Sequence, residues 1–216
     1  MWNIFVVAES PPRDSAENNP IFAGMAVKRA QEETHKIYYC TFTCYNWLPL
    51  IEKTNLYNHI YNWFDLMKRE YGNQVLGYVI MPNHIHLLLF VSETSKTINH
   101  LIGSGKRFMA YEIVKRLREQ KDEELLNQLR DGVDINEAIK NKQHQVFEQS
   151  FDCKECFSEK FIKQKLDYIH KNPLRGKWNL AETIIDYPHS SARFYEMGEH
   201  GEYEVTAYTA AGVYED

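Results

Sequence analysis

The stretch MPNHIHLLLFV, residues 81–91, sets two histidines one residue apart at the mouth of an aliphatic run. Read as a strand, residues 84–91 alternate their side chains between the two faces of a sheet. His84 and His86 then share a face, about 6.6 Å apart at Cα by the rise of a strand. Ile85, Leu87 and Leu89 point the other way, toward a layer of helices. That spacing lets two imidazoles reach one divalent ion, but it also suits a pair of structural histidines at a sheet rim. Two imidazoles leave a metal short of at least a third ligand. Another part of the chain would have to face this strand.

Outward from the histidines, QVLGYVI (74–80) supplies a partner strand, hairpin-paired around Met81-Pro82-Asn83. KIYYCTFTCYNW (36–47), rich in β-branched and aromatic residues, reads as another strand. In NLYNHIYNWFDLMKREYG (55–72), Leu56, Ile60, Phe64 (or Trp63), Met67 and Tyr71 recur at helical spacing. Thr54 stands as its N-cap and Gly72 as its stop. A second helix is expected from near Ser95 through Arg118. Residues 119–145 are charged and helix-prone, and read as a helical insertion outside the core. SEKFIKQKLDYIHKN (158–172) is a third strong helix, ended by Pro173. This order predicts an α+β domain whose central antiparallel sheet is covered on one face by helices. Residues 36–195 make up that domain, 1–35 a polar N-terminal extension and 196–216 an acidic C-terminal tail.

The bulk composition bounds the function. A chain of 216 residues, 44% hydrophobic and 13% aromatic, can bury one good-sized core. No run approaches the roughly 18 to 20 apolar residues of a membrane helix. The N-terminal segment lacks a basic leader and a small-residue cleavage site, so the expected location is the cytoplasm, with no membrane partner. Cys40 and Cys44, on one strand face, stand about 13 Å apart, too far to bridge. Cys153 and Cys156 form a lone CxxC with no second pair at zinc spacing. The net charge is −5, yet residues 181–216 hold eight acids against one base, leaving the remainder at +2. Bases gather at Lys106-Arg107, from Lys115 to Arg118, and from Lys154 to Lys177, so local patches leave room for a phosphate backbone.

On the third helix, Ile162, Leu166 and Ile169 form an apolar docking stripe, while Gln164, Tyr168 and Asn172 project together in a second row. The pattern fits a phosphate-chemistry face among many lysines. It also fits an ordinary amphipathic helix with a tyrosine at the edge of its stripe. IGSGKRF (102–108) lacks the spacing of a nucleotide-binding loop. Lys106 and Arg107 within it are candidate DNA-backbone contacts or else a solvated helix face. His170 lies about 200° around the helix from Tyr168 and His189 reads as structural. Tyr187 and Tyr195 are rival nucleophiles without an amide one turn on.

PNHIHLLL, LDYIHKNPLRGKW and YPHSSARFY occur here in that order. Together they resemble the histidine–hydrophobe–histidine (HUH) motif, the tyrosine helix and the following segment of the single-tyrosine transposases. The likeness is to the insertion-sequence-200-like group and especially to the REP-associated tyrosine transposases, and it covers about residues 36–195. The resemblance implies a ferredoxin-like HUH fold and a metal-dependent enzyme that nicks and rejoins single-stranded DNA through a 5′-phosphotyrosine link. By that likeness Tyr168 is the nucleophile, and His84, His86 and Asn172 hold Mg²⁺ or Mn²⁺. Gln164, Lys165, Lys171 and Arg175 join Lys106 and Arg107 as candidate DNA contacts. The implied partner is hairpin or repeat DNA, with a monomer expected, although insertion-sequence relatives act as dimers. Phe147 stands where the family commonly has Trp, in a segment less basic than usual. A regulator that keeps the fold without turnover, or a replication initiator or relaxase, are the alternatives.

Overall fold

The structure is a computed structural model that describes residues 33–176 and 178–213; most of the N-terminal extension lies outside it. Four strands, β1 (Lys36–Thr43), β2 (Gln74–Ile80), β3 (His84–Val91) and β4 (Asp152–Glu155), form one antiparallel sheet in the order β2-β3-β1-β4. The hairpin of β2 and β3 turns at residues 81–83, as the sequence predicts. β4 is not foreseen, because DCKE is short and polar with no alternating apolar pattern, and it sits at the sheet edge.

The helices are α1 (Leu50–Lys53), α2 (Tyr57–Tyr71), α3 (Ile98–Glu119), α4 (Glu123–Asp131), α5 (Ile135–Ala138), α6 (Glu159–Lys171) and α7 (Ala192–Met197). They cover both faces of the sheet rather than one. Tyr38, Cys40, Phe42, Ile85, Leu87 and Leu89 bury themselves against α2 and α3. Ile37, Leu76, Val79, Leu88 and Phe90 lie on the opposite face, where Ile162, Leu166 and Ile169 of α6 cover them. Every residue of β3 is buried, so each face needs an apolar partner, and α6 supplies the second one. Burying each of its three stripe residues contributes about 1.5–3 kcal/mol.

Local details depart from the sequence reading. Thr54 caps the end of α1 and not the start of α2, its hydroxyl donating to Leu50 O at 2.6 Å. The first strand stops at Thr43, and Tyr45–Trp47 form a 3-10 turn. Residues 119–145 are helical but not outside the core: Leu126 and Leu129 of α4 are buried with the α2–α3 layer. The acidic tail is also docked. Val205 and Tyr208 are buried, Thr206 N donates to Val75 O at 3.0 Å, and the Tyr208 hydroxyl donates to Glu159 at 3.0 Å.

All four cysteines are free thiols, and Cys40 and Cys153, cross-strand partners on β1 and β4, lie with their sulfurs 3.5 Å apart. No described helix is long and apolar enough to cross a membrane.

Candidate active site

The face of β3 that carries His84 and His86 is the face that α6 covers, so the sheet pleat and the docking stripe together decide what meets the imidazoles. Ser158 caps α6, accepting from Phe161 N, and Pro173 ends the helix one residue after Asn172. The Asn172 side chain thereby reaches between the two histidines. Its Oδ1 lies 3.2 Å from His84 Nε2 and its Nδ2 lies 3.0 Å from His86 Nε2. The imidazole centroids are 4.8 Å apart, and the Tyr168 ring stands edge-on to His86 at 5.3 Å. Tyr168 is half-buried, with Lys165 Nζ 5.9 Å and the Arg175 guanidinium 5.5 Å from its ring centroid.

The outer nitrogens of both rings are engaged by their neighbours. Asn83 donates its amide N–H to Trp47 O at 2.9 Å, which turns its Oδ1 toward His84 Nδ1 at 2.7 Å. An acceptor there requires the proton on Nδ1, leaving Nε2 bare. Thr41 Oγ1 and the Tyr39 hydroxyl lie 2.7 and 2.9 Å from His86 Nδ1, and Thr41 donates to Tyr39 at 3.1 Å. Thr41 Oγ1 can accept from Nδ1–H, so Nε2 of His86 is also free to accept, as its contact with Asn172 Nδ2 requires. Two unprotonated Nε2 atoms therefore face one amide. On the His84 side, a nitrogen lone pair opposes the Asn172 carbonyl oxygen with no hydrogen between them.

A cation between those atoms resolves that opposition, and two neutral imidazoles plus an amide oxygen are donors that divalent ions accept. The residues present fit a metal. Burial keeps both rings neutral: it pushes His84 down to about 4, against the nearby Asn172 amide oxygen, which favours the protonated ring. His86 is also lowered, by burial first and then by His84 and Lys165. Among the described residues, no cluster of three His, Cys, Asp or Glu could hold a metal elsewhere, and the CxxC gathers no further ligands.

The other candidates separate cleanly. Gln164 and Lys171 are exposed on α6, with Lys171 paired to Asp167 at 2.6 Å. Lys165 lies over Tyr39, 4.7 Å from its ring centroid, and Arg175 is exposed just beyond the helix. Lys106 is turned onto the chain's own backbone. Its Nζ donates to the carbonyls of Gln149 and Ser150 at 3.1 and 3.3 Å, as well as to Glu148 O. Burial lowers its pKa to about 8. Arg107 is exposed, but α3 lies on the sheet face opposite the histidines. The rival tyrosines are structural: Tyr187 donates to Ile80 O at 2.8 Å and Tyr195 to Leu76 O at 2.6 Å. His170 is turned away from Tyr168 onto Ser191 Oγ at 2.9 Å, and His189 stacks on Tyr57 at 3.6 Å.

Sequence reasoning missed Tyr39, Thr41 and Asn83. A signal existed, since Thr41 pairs with His86 across β1 and β3 and paired residues share a face. Only the register makes it visible. The SSARFY segment has a structural part in the site: Ser191 Oγ accepts from Tyr78 N at 3.0 Å while contacting His170, which fixes α6 to β2.

No protein-family model matches the chain, and no curated protein does. Among solved structures, a REP-associated tyrosine transposase bound to a REP hairpin superposes with a TM-score of 0.54 at 17% identity. The match covers 89% of this chain and 98% of that one. A candidate transposase from Deinococcus radiodurans matches 62% of this chain and 88% of its own length at 12% identity, but its TM-score of 0.31 carries no weight. The chain thus has the α+β fold of a REP-associated tyrosine transposase, the fold that the resemblance in its motifs implied.

Proposed function

We propose that this protein is a DNA transposase of the single-tyrosine HUH type, which cleaves and rejoins single-stranded DNA through Tyr168. The observation that carries the reading is the insertion of the Asn172 amide between the bare nitrogens of His84 and His86, with the Tyr168 ring against His86. His84, His86 and Asn172 would hold Mg²⁺ or Mn²⁺. Bound there, such an ion supplies charge neutralisation at a scissile phosphate.

The chain's own residues provide the rest. The Tyr168 phenol oxygen attacks phosphorus, losing its proton. The phosphodiester's 3′-oxygen leaves as a hydroxyl, and a 5′-phosphotyrosine bond replaces the bond broken. That link keeps the energy of the phosphodiester, so an incoming 3′-hydroxyl reverses the step on another strand without ATP. Lys165 and Arg175, 5.9 and 5.5 Å from the Tyr168 ring centroid, place positive charge beside the nucleophile for the phosphate backbone. All four proposed site residues come from one chain, which supports action as a monomer. The similar solved structure is bound to a REP hairpin, so hairpin DNA is the proposed substrate.

The test is cleavage of an end-labelled single-stranded hairpin oligonucleotide with Mn²⁺. Wild type should give a free 3′-hydroxyl product, lost with EDTA, in His84→Ala and in Tyr168→Phe. Binding to the hairpin without cleavage would instead identify a regulator that keeps the fold.

A further inference from the structure

Trp47 is one of few large apolar side chains left in water, 50% exposed, and its ring centroid lies 5.7 Å from that of His84. Its position is held at a cost. Asn46 and Trp47 both adopt left-handed backbone, with φ of 50° and 57°, a conformation side-chain-bearing residues rarely take. The surroundings enforce it. Trp47 N donates to Cys44 O at 3.0 Å, and Trp47 O accepts from Asn83, the residue that also orients His84. Asn46 N donates to Glu148 at 2.9 Å. A strained turn thus holds an exposed indole on rigid backbone at the edge of the histidine pair, with cationic Lys165 and Arg175 on the Tyr168 side.

We infer that the Trp47 indole is a stacking platform for a base of bound single-stranded DNA, the nucleotide adjoining the phosphate held at His84 and His86. A single strand exposes the π-faces of its bases, and a fixed aromatic ring binds them without regard to sequence. Lys165 and Arg175, against the Tyr168 ring, supply positive charge for the backbone of the same strand. A duplex keeps its bases stacked on one another and has no face to offer. The inference rests on the single-strand reading proposed above, but it concerns affinity and not the chemistry of Tyr168.

The experiment measures the affinity of fluorescein-labelled oligo(dT), by anisotropy in Mn²⁺, for wild type, Trp47→Ala, Trp47→Phe and Tyr111→Ala. Tyr111 is 74% exposed on the opposite helical layer and serves as the control. Trp47→Ala should weaken binding about tenfold, the scale of one lost base stack. Trp47→Phe should recover most of that loss, and Tyr111→Ala should bind as wild type. Mn²⁺ affinity without DNA should be the same in all four, and oligo(dT) should quench a component of wild-type tryptophan emission that Trp47→Phe lacks. That quenching decides the matter even if Trp47→Ala fails to fold. Wild-type binding that neither Trp47 variant alters, with no quenching, overturns the platform and leaves strand transfer standing. Trp47-dependent binding, together with no covalent adduct on the hairpin oligonucleotide, keeps the platform and removes strand transfer. Failure of wild type to bind oligo(dT) overturns the platform and leaves strand transfer to the hairpin cleavage test.

Discussion

Thr41 shows how much of the site depends on residues that touch no substrate. Its hydroxyl, 2.7 Å from His86 Nδ1, sets which nitrogen of His86 carries the proton. Partners of this kind to metal-bound imidazoles typically govern affinity by about 10–100-fold. Thr41→Val keeps the shape and removes the oxygen; it should weaken Mn²⁺ binding, followed by calorimetry, by about that factor with little change in Tm. Equal Mn²⁺ affinity would show that Tyr39 alone holds the ring. The histidines, Tyr168 and Asn172 were legible because their spacing along one strand and one helix is a local property. Thr41, Tyr39 and Asn83 were not: Thr41 and Tyr39 meet His86 from 45 and 47 residues away, and Asn83, though adjacent to His84, acts through its side-chain rotamer. The inward turn of Lys106 was not readable for the related reason that a basic residue in a chain says nothing about which carbonyls it meets.

At the level of elements, Gly105 and Gly77 mark where the layers close. A Cβ at Gly105 on α3 would strike the buried Trp63 ring of α2. Overpacking of this kind costs about 1–3 kcal/mol, against about 1 kcal/mol gained in helix propensity. Gly105→Ala should therefore lower the thermal midpoint by a few degrees, read by circular dichroism, while leaving Mn²⁺ affinity unchanged; a raised midpoint would show that Trp63 yields. Gly77 lies at the irregularity in the β2–β3 pairing, and a Cβ there would fall 2.5 Å from Leu166 Cδ2 on α6. The long helices and the histidine hairpin were readable from periodicity alone. β4 was not, since four polar edge residues carry no burial pattern. Helices cover both faces of the sheet rather than one, because every residue of β3 is buried.

The whole molecule is held together partly by its C-terminal segment, whose acidic composition hides its packing. Tyr203, Val205 and Tyr208 join the cores on the two faces of the sheet. Ending the chain at residue 201 should cost several kcal/mol, at about 1.5–3 kcal/mol per buried side chain, and lower the urea midpoint. An unchanged midpoint with altered DNA affinity would instead assign the segment a role at the DNA groove. Folding also sets a pH dependence. Burial lowers the imidazole pKa of His59, His144 and His189, so the unfolded chain binds protons more readily below about pH 6.5. Stability should fall as pH drops from 7.5 to 5.5, and His189→Phe should reduce that fall.

The measurement that tests the proposed chemistry most directly is proteolysis and mass spectrometry of the complex formed with hairpin DNA and Mn²⁺. A nucleotide joined through phosphate to the peptide carrying Tyr168, and absent from Tyr168→Phe, is the expected result. An adduct on any other residue, or one that survives Tyr168→Phe, contradicts the proposal.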